Sequence, residues 1–177
     1  MKLIVIAGMP GAGKEEFLNV AVERGIPFIR MGDLVREMYP HRCAEDADLN
    51  LGQFASAERD RHGYNIWAKR ALERMSGDLY LIDGCRSMDE VEAYRRLTDD
   101  VNIVAIHTSP SIRYDRLVKR GRDDAPRNIE EFDARDTREI GWGLAKTIVL
   151  ADNLIVNEGT LDEFRVSVNT LLDRIQS

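Results

Sequence analysis

Gly8-Met9-Pro10-Gly11-Ala12-Gly13-Lys14-Glu15 decides the fold of this chain. The stretch follows the apolar run Leu3-Ile4-Val5-Ile6-Ala7. It leads into Glu16-Phe17-Leu18-Asn19-Val20-Ala21-Val22, whose apolar residues recur at helical spacing. A glycine-rich turn between a strand and a helix lets successive N–H groups converge on one concavity. The new helix adds its positive end there, and a lysine at this position reaches the outer phosphates of a ligand. The spacing G-x-x-x-x-G-K is complete, so Gly8, Met9, Pro10, Gly11, Ala12, Gly13, Lys14 and Glu15 are expected to cradle a nucleoside triphosphate. A glycine-rich turn with an incidental lysine is the competing reading, and the strand before and helix after argue against it. One position departs from the pattern. Where a Ser or Thr would ligate Mg²⁺, this chain has Glu15.

Outward from that stretch, apolar runs of strand length alternate with longer amphipathic segments. Strands are expected at residues 3–7, 26–29, 79–82, 101–106 and 154–156. Their near-continuous apolar character suits a parallel sheet covered on both faces. Helical patterns lie near 14–24, 33–39, 51–76, 88–97, 110–120, 128–150 and 160–175, with breaks at His62-Gly63 and around Gly141 and Gly143. The expectation is a three-layer α/β/α domain with a five-stranded parallel sheet and a small helical lid. A single domain is expected over 1–177, with an acceptor-binding helical region near 32–76 and the lid near 113–130. The polar stretch from His41 to Asn50 reads as a mobile connector.

The formal charge of −6 argues against nonspecific nucleic-acid binding. No apolar run approaches a membrane span, and the chain opens in a strand rather than a signal peptide, so a cytoplasmic protein is expected. Cys43 and Cys85 make no metal-ligand spacing and suit small half-buried residues in a reducing compartment.

Ligands of such sheets sit beyond the carboxyl ends of the strands, so the residues there are the candidates. Asp83 ends an apolar strand, the place where P-loop enzymes hold Mg²⁺ or its water shell, and Arg86 follows at the same rim. Asp33 is either a helix cap or a functional acid, and Arg36, one turn on, is either solvated or functional. Arg59 and Arg61 are equally open between a substrate-covering face and solvent. Arg113, Arg116 and Arg120 recur at helical spacing and are joined by Lys119, Arg122 and Arg127. They read as a lid closing over phosphates, against the plainer alternative of a basic solvated face. His107 at a strand end reads as structural.

Taken together, Gly8–Lys14, Gly32-Asp33-Leu34-Val35-Arg36, Asp83-Gly84-Cys85-Arg86-Ser87, Ile112–Arg116 and Ala151–Asn157 make almost the whole chain resemble the nucleoside- and nucleotide-kinase branch of P-loop proteins. The similarity is to an archaeal group described as adenylate-kinase-related or dephospho-CoA-kinase-like. The resemblance implies ATP and Mg²⁺ as cofactors and a nucleotide-like small molecule as acceptor, in a monomer or homodimer. It implies that Lys14, Arg116, Arg120 and Arg122 act on the transferring phosphoryl group, that Glu15 and Asp83 organise Mg²⁺, and that Asp33, Arg36 and Arg86 meet the acceptor. Against the adenylate-kinase pattern, Asp83-Gly84-Cys85-Arg86 lacks a Pro and is one residue shorter. The tail around Asn157 is closer to dephospho-CoA kinases, where an acid placed like Asp33 takes the proton of an attacking hydroxyl. From another class, a nucleotide-dependent switch that hydrolyses ATP slowly also fits Glu15.

Overall fold

Residues 1–39, 47–122 and 124–176 are described by a computed structural model, with backbone alone over 47–50. In chain order these are β1 (Lys2–Ala7), α1 (Lys14–Glu23), β2 (Phe28–Arg30), α2 (Met31–Met38), α3 (Ala47–His62), α4 (Ile66–Leu72), β3 (Leu79–Asp83), α5 (Met88–Arg95), β4 (Val101–His107), α6 (Pro110–Arg120), α7 (Ile129–Gly141), α8 (Leu144–Val149), β5 (Asn153–Val156) and α9 (Leu161–Gln176). The five strands form one parallel sheet in the order β2-β3-β1-β4-β5.

The continuous apolar character of β1 has a direct cause: successive side chains point to opposite faces, and both faces are covered. Ile4 and Ile6 join Phe17, Leu18, Val168 and Leu172 of α1 and α9 on one side. Leu3 and Val5 join Met31, Trp67, Ala71, Val91 and Tyr94 of α2, α4 and α5 on the other. The result is three layers with β1 at the centre and the glycine-rich loop rising from its carboxyl end.

Several boundaries move for physical reasons. The second strand begins at Phe28, not Ile26, because the Ile26 N–H closes the end of α1 onto the Ala21 carbonyl at 2.9 Å. Helix α2 follows β2 without a loop and starts at Met31, with an extended Arg30 as its cap position. Asp33 is therefore inside the first turn and does not cap the helix. The 128–150 pattern divides at Gly143, which adopts φ 103°, and the 51–76 pattern divides at Gly63, with φ 94°. The connector expected over 41–50 is helical from Ala47, and its remainder, Cys43 included, lies outside the described residues. Cys85 is buried and forms no disulfide among the described residues. Between α6 and α7 the described residues of 121–128 are not helical, since Gly121 turns left-handed at φ 60° and ends α6. The closing helix is capped by Thr160 and Glu163 acting reciprocally: Glu163 Oε2 accepts from the Thr160 N–H at 2.8 Å, and Thr160 Oγ1 accepts from the Glu163 N–H at 3.3 Å. Among the described residues no helix is long and apolar enough to cross a membrane.

Candidate active site

The loop from Gly8 to Gly13 is held by its carbonyl oxygens. Pro10 O accepts from an Arg113 guanidinium nitrogen at 3.0 Å. Ala12 O accepts from Asn157 Nδ2 at 2.8 Å and lies 3.1 Å from Thr108 Oγ1. The Lys14 ammonium folds back onto the carbonyls of Gly8 and Met9 at 2.6 and 3.2 Å. With these oxygens engaged from outside, the N–H edge of the turn and the first amides of α1 form the side left for an anion. Gly13 is indispensable to this path. It sits at φ 109°, and a Cβ there would lie 2.2 Å from Asn157 Nδ2.

Sheet register supplies the second wall. Ile6 of β1 is level with Asp83 of β3, which is level with Arg30 of β2. One row across three strands thus sets Asp83 beside the root of the loop, with Arg30 Nε 3.6 Å from its carboxylate. Burial pushes the Asp83 carboxyl up, against the opposing pull of Lys14, Arg86 and Arg30. Burial likewise lowers the Lys14 ammonium, against the pull of Asp83. Asp83 Oδ1 is buried without a hydrogen-bond partner. Such an orphaned oxygen, in a cleft that also presents the Glu15 carboxylate, fits a divalent cation or its water. Two carboxylates are the complement Mg²⁺ uses when phosphates supply further ligands.

The cleft between these walls has a volume of about 420 Å³. Among the described residues, eight cations line it, Lys14, Arg30, Arg36, Arg86, Arg116, Arg120, Arg122 and Arg135, against five carboxylates, Glu15, Glu16, Asp83, Asp124 and Glu139. Most of the guanidinium groups are held by an acid. Arg86 Nε donates to Glu139 at 2.8 Å, Arg122 to Glu15 at 2.5 Å, Arg120 to Asp124 at 3.3 Å and Arg135 to Asp124 at 3.0 Å. Hydrogen bonding to Arg122 holds the Glu15 carboxyl below its usual range. Arg116 points a nitrogen to Thr108 Oγ1 at 3.4 Å. An arrangement of this kind can bind a multiply charged anion by exchanging internal carboxylates for ligand oxygens.

Of the residues expected from sequence, the fold gathers Gly8, Pro10, Gly11, Gly13, Lys14, Glu15, Arg36, Asp83, Arg86, Arg116, Arg120 and Arg122 around this one cleft. Met9 and Ala12 do not line it; the Ala12 side chain enters the core. Asp33 also stands outside the lining, exposed, with its carboxylate 2.8 Å from Arg36. Arg113 differs from the lid reading. It is buried at 3 % exposure, paired with Asp136 at 2.9 Å, and braces Pro10. It faces the loop because it lies on the inner stripe of α6, two turns before the arginines at the helix end. Arg59 is neither solvated nor in the cleft: it is buried against Glu90 at 3.3 Å and stacks 4.5 Å over Trp142. Arg61 is exposed, 3.8 Å from Glu58.

Sequence reading missed Arg30, Asp124, Arg135 and Glu139 as cleft residues, and Thr108 and Asn157 as its supports. The signal for two of them was present. Phe132, Arg135 and Glu139 recur at i, i+3 and i+7, the spacing of one helix face. A polar residue on the face of a buried Phe points inward.

Comparison with known proteins identifies the family and the fold. A family model described as an AAA domain matches residues 4–138. A UPF0200 protein of Hyperthermus butylicus is 42% identical over 98% of this chain and 94% of its own. Another, from Thermoplasma acidophilum, is 40% identical over 96% of this chain and 94% of its own. Among solved structures, a gluconokinase from Sinorhizobium meliloti superimposes with a TM-score of 0.64 at 16% identity, covering 98% of this chain and 93% of that one. TT1252 from Thermus thermophilus gives 0.63 at 15% identity, covering 98% and 97%. At such identities these two show the fold alone.

Proposed function

The chain belongs to the UPF0200 family, and from the cleft it builds we propose an ATP- and Mg²⁺-dependent phosphotransferase acting on a nucleotide-like small molecule. The observation that carries this is the convergence of the Lys14 loop, the orphaned Asp83 oxygen and a ring of arginines on a single cleft. The loop amides and Lys14 hold the β- and γ-phosphates, Lys14 leaving the Gly8 and Met9 carbonyls to do so. Asp83 and Glu15 hold the metal, which when bound screens the charge of the phosphate oxygens. Arg116, Arg120, Arg122 and Arg135 stabilise the charge that spreads over the transferring group, since catalysis of this reaction is mostly positioning and electrostatics.

Arg36 and Arg86 position the acceptor. A monophosphate acceptor brings an anionic nucleophile and needs no base. An alcohol such as dephospho-CoA uses a carboxylate within reach, and Asp33, beside Arg36, takes that part by turning toward the cleft. The test is product detection with ATP, Mg²⁺ and a panel of AMP, CMP, UMP, dGMP, dephospho-CoA and gluconate, with Lys14→Ala as control. A new phosphorylated product that the control does not make supports the reading. A Lys14→Ala variant with undiminished transfer would sink it.

A second reading, a nucleotide-dependent switch or slow ATPase, draws on the Glu15–Arg122 pair, which ties the phosphate loop to the segment after α6. Replacing Glu15 with Ser discriminates. A kinase slowed by its metal ligand gains transferase activity, whereas a switch without an acceptor gains none.

A further inference from the structure

Glu15 is the second residue of α1, and Arg122 lies two residues beyond the end of α6. Their 2.5 Å ion pair bridges the phosphate loop and the segment leading to α7. Both side chains are close to half exposed, at 43% and 48%, and both line the cleft, so either is free to change partner when a ligand arrives. Arg122, then Arg30 and Arg120, keep the Glu15 carboxyl below its ordinary range, so it is ionised at neutral pH.

This pair acts twice against a bare triphosphate. The ligand meets the Glu15 carboxylate at the first turn of α1, which together with Glu16 opposes the attraction of the positive end of that helix. The arginine that would compensate it is already engaged. A divalent cation arriving with the nucleotide reverses both effects, because the carboxylate becomes a metal ligand and the guanidinium is released to a phosphate oxygen. A serine or threonine hydroxyl at this position neither repels the phosphates nor withholds the arginine.

We propose that Glu15 is the specificity-determining residue that restricts this cleft to metal-complexed nucleotide, exchanging Arg122 for the metal as the nucleotide enters. The proposal rests on the reading of the cleft as a Mg²⁺–nucleotide site. It makes metal and nucleotide binding mutually dependent through residues of this chain, in addition to whatever affinity the metal has for the phosphates.

Calorimetric titration of ATP into the full chain, in Mg²⁺ and in EDTA, tests it on wild type, Glu15→Gln and Arg122→Gln. In Glu15→Gln the ratio of the two affinities falls about tenfold, the scale of one like-charge contact near a protein surface, mainly through tighter binding of metal-free ATP. Arg122→Gln weakens binding in Mg²⁺ about tenfold, as loss of a charge-assisted hydrogen bond does. In EDTA the same variant also weakens binding, because the Glu15 carboxylate is then left without its counter-charge beside the triphosphate. An unchanged ratio in Glu15→Gln overturns the proposal, as does an Arg122→Gln variant whose affinity in Mg²⁺ is unchanged. In either case, binding of ATP by the wild type in Mg²⁺ leaves the nucleotide-site reading standing. A wild type that binds neither form overturns that reading and the proposal with it.

Discussion

Replacing Glu139 with Gln should destabilise the ligand-free protein and loosen Arg86 in the cleft. Glu139 lies on α7 at 5% exposure, and its Oε2 accepts from Arg86 Nε at 2.8 Å. Burial alone would raise its pKa, but Arg86, Lys14 and Arg135 outweigh burial and hold it below the ordinary glutamate value of 4.5. Arg86 moves in the matching direction: burial lowers it, yet Glu139 and Glu90 together carry it above its usual value. Glutamine keeps the shape and one acceptor oxygen but removes the charge. Arg86 then retains its 2.5 Å bond to the Gly84 carbonyl and its 22% side-chain exposure. Breaking a buried pair costs about 3–5 kcal/mol when the partner charge is left wholly uncompensated, so about 2–3 kcal/mol is expected here. In a chain of this size that lowers Tm by roughly 5–10 °C. The pH dependence follows from the sign of the shift. A carboxylate with a depressed folded pKa contributes fully above its unfolded value and loses that contribution as pH falls through the folded value. The gap between wild type and variant should therefore be full at pH 7, begin to narrow only near the ordinary glutamate value of 4.5 and close as pH falls through the lower folded value. Thermal unfolding followed by circular dichroism at several pH values measures it. A Tm within about 1 °C of wild type at pH 7, or a gap that persists undiminished in acid, refutes the view that the charge on Glu139 holds Arg86.

Three other perturbations follow from the same geometry. Lys14→Met should abolish ATP binding by calorimetry while leaving the ligand-free Tm equal or higher. Burial lowers the Lys14 pKa, so its protonated form opposes folding, and the wild type should gain on the variant as pH rises toward 10.5. Gly13→Ala forces a side chain into φ 109° and against Asn157, a strain of about 1–3 kcal/mol, and should lower Tm by several degrees and remove nucleotide binding. Thr108→Val keeps the volume but deletes a buried hydroxyl that stands 3.1 Å from the Ala12 carbonyl and 3.0 Å from the Asn157 carbonyl. Urea unfolding should report a loss of about 1–3 kcal/mol, and a variant as stable as wild type would show that the loop does not depend on this support.

Much of this architecture is local and therefore readable along the chain. The glycine-rich turn needs particular backbone angles at Gly11 and Gly13, which are φ 82° and 109°, and only glycine occupies them without strain. Helix periods and the apolar strand runs are likewise local consequences of side chains repeating at 3.6 and 2 residues. From them came the five strands, the break at Gly63, and a phosphate loop with Lys14 at its helix start. The order of the strands was not local. Only the pairing of β2 with β3, and of β3 with β1, brought Arg30 and Asp83 into one row beside the loop.

The charged residues divide in the same way. Their number and helical spacing belong to the sequence, but a guanidinium's destination depends on which acid another element presents to it. Arg113 and Arg120 lie two turns apart on α6. The first went inward to Asp136 and Pro10, the second to Asp124 at the cleft. Arg59 left solvent for Glu90 and the ring of Trp142. The sequence alone determined a glycine-rich strand-to-helix loop, ending in Lys14, on a parallel α/β sheet. The tertiary structure alone decided which of its many arginines line the cleft and which hold the scaffold, because the acids that meet Arg113, Arg59, Arg86 and Arg122, namely Asp136, Glu90, Glu139 and Glu15, lie far from them along the chain.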